Sequence, residues 1–116
     1  LDFLNWELGV FFHFGIRTFY EGHRDWDLKP MDPAAYNPTE LDCEQWIRMG
    51  AEGGAKYAIL VCKHHDGFCL WPTRTTSHNI SKSPFRGGKG DYLREMERAC
   101  RKSVSDISDH YLCFSF

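Results

Sequence analysis

The chain has 116 residues, a length that suits one small domain with a modest core. Apolar residues make up 42% and charged residues 26%, which excludes a disordered chain, and no apolar run nears the roughly 20 residues of a membrane span. The net charge is −2 without a basic block or an acidic tail, so binding to nucleic acid or to an anionic membrane has no support.

Leu8-Gly9-Val10-Phe11-Phe12-His13-Phe14 reads as the first strand, nearly all apolar, as in a strand covered on both faces. Residues 15–41 form a long loop punctuated by Pro30, Pro33 and Pro38; its aromatics Phe19, Tyr20, Trp26 and Tyr36 predict an ordered, packed loop. Asp42 is an N-cap with Gln45 three residues on, a capping-box spacing. Cys43, Trp46, Ile47, Gly50 and Ala51 then share one helical face until Gly53-Gly54 ends the helix. A second strand is expected over 57–62, giving a parallel, right-handed βαβ unit.

An irregular stretch runs to about residue 90, and Asp91 caps a second helix with Leu93, Met96 and Cys100 on one side. The stretch 103–110 is polar, lacks a C-cap glycine and reads as a connection; 111–116 is a candidate third strand. Two or three parallel strands cannot bury both faces alone, and a barrel needs eight such units over about 250 residues. The expected fold class is therefore α/β: a partial (β/α)8 TIM-type barrel, its first two to three βα units only. The cysteine count of 5 is odd and no pair has the spacing of a zinc or redox motif, so buried thiols are expected rather than a disulfide framework.

The run Lys63-His64-His65-Asp66-Gly67-Phe68-Cys69-Leu70-Trp71 carries the most chemistry. It follows the second strand, at the carboxyl end where α/β barrels build their sites. A neutral imidazole offers one donor and one acceptor, which suits sugar hydroxyls. Consecutive strand residues point to opposite faces, so His64 and His65 can share a pocket only if the backbone turns at His64. The Asp-Gly pair makes that turn plausible, with Asp66 stabilising it or orienting a histidine rather than acting as a catalyst.

Three segments appear in the order and spacing of a known family: Gly9-Val10-Phe11-Phe12-His13-Phe14-Gly15-Ile16, Gly54-Ala55-Lys56-Tyr57-Ala58, and the His-His-Asp-Gly-Phe run. Asn79, Ser83-Pro84-Phe85 and Ala99-Cys100-Arg101 continue the match. The chain resembles, over about 6–102, the amino-terminal part of the catalytic barrel of α-L-fucosidases, glycoside hydrolase family 29. The tail 103–116 diverges.

The resemblance implies retaining hydrolysis of α-L-fucosyl residues from fucosylated glycans or glycoconjugates. The family's nucleophile lies at the end of the fourth strand and its acid/base residue later still. Both are expected downstream of Phe116, so no catalytic residue is assigned here and the isolated chain is expected not to hydrolyse fucosides. What carries over is sugar binding: His13, His64 and His65 as hydroxyl-binding residues. On chemistry alone, Trp26, Phe68 and Trp71 are candidate apolar surfaces for the sugar. Many members carry Glu-Trp in the loop after the first strand; the nearest equivalent here is Asp25-Trp26. No cofactor and no metal is implied. Family members are commonly secreted, periplasmic or lysosomal, but no signal peptide is visible in this chain, which opens on Leu1 rather than Met, so the compartment is left unassigned.

Two other readings stay open. One is a metal-dependent hydrolase barrel with His13, His64 and Asp66 as ligands, although the His-His-Asp run lacks same-face alternation. The other is a non-catalytic sugar-binding or truncated remnant. Trp6 and Trp46 are expected in the core; His23, His78, His110 and Glu21 are expected to be exposed.

Overall fold

The apolar runs become a parallel sheet of three strands, in the order β1 (Gly9–Phe12), β2 (Tyr57–Leu60) and β3 (Leu112–Ser115). The structure is a computed structural model that describes residues 3–22, 29–106 and 112–115. His23, Asp25, Trp26 and His110 lie outside the described residues. Gly9 pairs with Tyr57 and Phe12 with Leu60, while Tyr57 pairs with Leu112 and Leu60 with Ser115.

The strands are shorter than the runs that encode them. Val61 N–H still reaches Phe12 C=O at 3.0 Å, but Cys62 C=O then accepts from Leu70 N–H at 2.9 Å. The chain is drawn into a local antiparallel bridge, Lys63 with Cys69, and leaves the sheet.

Helix α1 (Cys43–Glu52) begins as its N-cap predicts: Asp42 Oδ1 accepts from Gln45 N–H at 3.0 Å. It ends at Gly53, and Gly54 takes φ +93°, a conformation that glycine adopts at no steric cost. Helix α2 (Tyr92–Asp106) opens with Asp91 Oδ1 accepting from Arg94 N–H at 2.9 Å. It runs into the stretch expected to be a connection, because no glycine or proline interrupts 103–106. α1 and α2 pack on each other, and Lys102 Nζ reaches Glu44 Oε2 across them at 2.6 Å.

The loop from Gly15 to Leu41 is ordered around two 3-10 turns, Ile16–Phe19 and Pro33–Ala35. Ile16 and Tyr36 are fully buried. Tyr36 sits in an aromatic cluster with Phe14, Phe19, Phe68 and Phe85. The main core joins these rings to Ile47, Leu60, Leu70, Ile80, Tyr92 and Met96. Trp46 is half-buried against this core, stacking on Phe12 at 5.3 Å, while Trp6 is a half-buried neighbour of Tyr57 rather than a core residue.

Val10, Phe12, Ala58 and Leu60 face the core, whereas Phe11, on the alternate face of β1, is 65% exposed. Cys43, Cys62 and Cys69 are buried thiols, as expected for cysteines used as small hydrophobes. Cys100 departs from that expectation and is disulfide-bonded.

Candidate functional site

Parallel register places the residues after β1 and β2 at one end of the sheet. His13 follows Phe12 directly, and His64 and His65 follow β2 through the bridge at Lys63. The His13 and His64 rings lie 4.8 Å apart at 33°, and those of His64 and His65 lie 4.7 Å apart, edge to face at 71°. The three imidazoles predicted from sequence therefore form one cluster. His13 and His65 are exposed and His64 is half-buried.

The backbone turn that this arrangement demands is present. Gly67 N–H donates to His64 C=O at 2.9 Å, and Gly67 takes φ +79°. Asp66 Oδ1 accepts from Phe68 N–H at 2.8 Å, so Asp66 is the turn-stabilising residue. Its other oxygen, Oδ2, is buried and has no hydrogen-bond partner among the described residues. Below the turn, burial pushes the Cys69 thiol upward in pKa, the Lys63 ammonium pulling it down and Asp66 adding to the rise. The thiol is therefore held protonated and is a poor nucleophile.

The aromatic candidates fare differently. Phe68 is only 2% exposed and packs between Tyr36 and His78, so it is core and offers no surface to a sugar. Trp71 is half-buried against the core, and no ring contact joins it to the imidazoles among the described residues. His78 is half-buried on the edge of Phe68, not exposed as its polar neighbours suggested. Glu21 is exposed, as expected for a loop acid.

Among the described residues no group of three His, Cys, Asp or Glu side chains converges as a metal-binding set. The His13, His64 and Asp66 ligand set of the metal-hydrolase reading is thus not assembled.

Three supporting residues were not singled out for the site from sequence. Tyr36 Oη donates to Phe14 C=O at 2.9 Å, directly behind His13. Gly15 lies against the His13 ring. Asn79, only 3% exposed, clamps the segment after the histidine turn. Its Nδ2 donates to Thr73 C=O and Thr76 C=O at 3.2 and 2.8 Å, and its Oδ1 accepts from Ser81 N–H and Oγ–H at 2.9 and 2.6 Å. Only an alignment of burial with hydrogen bonding distinguishes such an asparagine from a loop residue, and a single sequence does not carry that signal.

Comparisons with known proteins point to one family. The family profile described as Alpha-L-fucosidase matches residues 31–111. Alpha-L-fucosidase 1 of Arabidopsis thaliana is 38% identical over 86% of this chain and 20% of its own length. A glycoside hydrolase 29 family member from an unknown rumen bacterium superposes with a TM-score of 0.83 at 32% identity, over 98% of this chain and 20% of its own. An alpha-L-fucosidase GH29 from Bacteroides thetaiotaomicron gives 0.73 at 28% identity, over 98% of this chain and 28% of its own. The chain spans about a fifth of the length of the curated relatives it matches. By profile, sequence identity and fold, this chain belongs to the α-L-fucosidase family, glycoside hydrolase family 29.

Proposed function

We propose that the chain forms the first βα units of a (β/α)8-type barrel and supplies the sugar-binding part of an α-L-fucosidase site. The observation that carries this reading is the meeting of His13, His64 and His65 at the carboxyl end of adjacent parallel strands, in a chain of this family. The barrel is supported by the bare face of the sheet. Parallel sheets occur almost only with both faces covered, yet Phe11 is 65% exposed. Phe11 also lines an open hollow of about 410 Å³ with His13, Trp46 and Met49. Further strands and helices of a longer polypeptide would cover both.

The reaction is retaining hydrolysis of terminal α-L-fucosyl residues on a glycan or glycoconjugate. A carboxylate attacks the anomeric carbon to form a covalent glycosyl-enzyme while a second carboxyl group protonates the leaving oxygen; that second group then draws a proton from the incoming water. Both carboxyl groups come from later strands, so the present residues orient the sugar and do not react. His13, His64 and His65 exchange hydrogen bonds with its hydroxyls, each neutral ring giving one donor and one acceptor. Trp26 and Trp71 are the aromatic candidates for stacking on its apolar face.

Titration with L-fucose tests the reading. His64→Ala and His65→Ala weaken binding more than His23→Ala; equal effects of all three overturn the site. The chain alone does not turn over an aryl α-L-fucoside, and turnover would place a catalytic acid within these residues.

A further inference from the structure

We infer that Gly15 is the positioning residue of the histidine cluster: its missing side chain is what allows the His13 imidazole to lie against His64. The backbone gives no reason for glycine here. Gly15 sits at φ −88°, ψ 177°, extended geometry open to any residue. The reason is space. A Cβ on Gly15 would fall 2.7 Å from His13 Nε2 and 3.5 Å from Cδ2 and Cε1 of the same ring.

The neighbouring backbone cannot absorb that clash. Phe14 C=O is held by Tyr36 Oη, Gly15 C=O accepts from Thr18 N–H at 3.2 Å, and Ile16 is fully buried. The atom struck is the far end of the exposed His13 side chain, so the ring gives way rather than the backbone. The same ring lies 4.8 Å from that of His64, so movement of the His13 imidazole changes that pair. Gly15 thus acts through His13, on the site and not on the fold.

The consequence for sugar rests on the fucose-binding reading above: Gly15→Ala weakens fucose binding on the order of 10- to 100-fold, the scale of an ångström-sized misplacement. The test of the positioning role needs no sugar. Histidine ring resonances of the 116-residue chain are followed by NMR between about pH 5 and pH 9 for wild type, Gly15→Ala, His13→Ala and the double variant. Gly15→Ala is expected to shift the ring resonances of His13 and His64, leave those of His78 in place and keep the thermal midpoint. In the His13→Ala background, Gly15→Ala is expected to leave His64 unchanged, because no Nε2 remains to be struck.

An unmoved His13–His64 pair, an equal His64 shift in both backgrounds, or loss of the folded circular-dichroism signal with Gly15→Ala would each overturn the inference. Wild-type chain that fails to bind fucose while the ring shifts follow this pattern would instead defeat the sugar reading and leave the positioning role standing.

Discussion

The phenol of Tyr36 donates a hydrogen bond to Phe14 C=O at 2.9 Å, across a sequence separation of 22 residues. This contact ties the long loop after β1 to the residue beside His13. It also gives the buried Tyr36 hydroxyl a partner, so burial raises the phenol's pKa without stranding its proton. Tyr36→Phe keeps the ring packing and removes the donor, leaving the carbonyl unsatisfied. The expected loss is about 1–2 kcal/mol in urea unfolding, with the His13 ring resonance shifted as its backbone support loosens. A stability equal to wild type would show that the bond is not what holds the loop.

Asn79 does for the second histidine segment what Tyr36 does for the first. Its amide satisfies two carbonyls and two donors while buried, and its backbone bridges Cys69, which in turn bridges Lys63 at the foot of the histidine turn. Asn79→Ala leaves those groups without partners and is expected to cost about 2–3 kcal/mol. Asn79→Asp keeps the acceptor for Ser81 but loses both donors, and is expected to lie between wild type and alanine. Hydrogen exchange of the Ser81 and Ile80 amides would follow the same ranking.

Much of this arrangement was legible in the sequence, and the parts that were not share one cause. Capping residues act within three positions of themselves, so Asp42 and Asp91 announced their helices correctly. The apolar runs announced the strands, and the Asp-Gly pair announced the turn that brings His64 and His65 together. Phe68 and His78 were misread because their burial depends on each other and on Tyr36, far away in sequence. The extension of α2 to Asp106 was missed because a polar segment without a glycine gives no stop signal in either direction. Gly15 was visible only as part of a motif; the atom that makes it necessary belongs to a neighbouring side chain whose rotamer no pattern encodes.

The buried acids predict how the fold responds to base. Burial pushes the Cys43 thiol from its usual 9.0 up to about 12, with Glu95 and Asp42 adding to the rise and Arg86 opposing it. Burial also raises the phenols of Tyr36 and Tyr92 above their usual 10.0. Each folded group holds its proton at a pH where the unfolded group has released it, so the unfolded state binds fewer protons and stability falls as pH rises. The contribution is intact below about pH 9 and is lost between about pH 9 and pH 12. The thermal midpoint is expected to decline across that window, and Cys43→Ala is expected to flatten the decline. A midpoint that is level from pH 8 to pH 11 would contradict this account.

Arg86 separates what a side chain contributes from what its backbone costs. It is the one non-glycine residue with positive φ among the described residues, at φ 53°. Its guanidinium binds Glu95 through Nε and Nη2 at 3.1 and 3.2 Å and donates to Leu41 C=O at 2.9 Å, joining the 3-10 segment Phe85–Gly88 to α2 and to the start of α1. The hydrogen bond to Glu95 also raises its pKa, so the charge is present at every working pH. Left-handed backbone costs a non-glycine residue about 1–2 kcal/mol, and a hydrogen bond from a charged donor is worth about 1.5–3 kcal/mol, so the side chain's contacts outweigh the strain. Arg86→Ala loses the contacts and keeps the strain, whereas Arg86→Gly loses the contacts and relieves it. Both variants are expected to be less stable than wild type, with glycine about 1 kcal/mol better than alanine in urea unfolding. An alanine variant as stable as glycine would mean that the strain at position 86 is not felt, and a glycine variant as stable as wild type would mean that the bridge to Glu95 and Leu41 holds nothing.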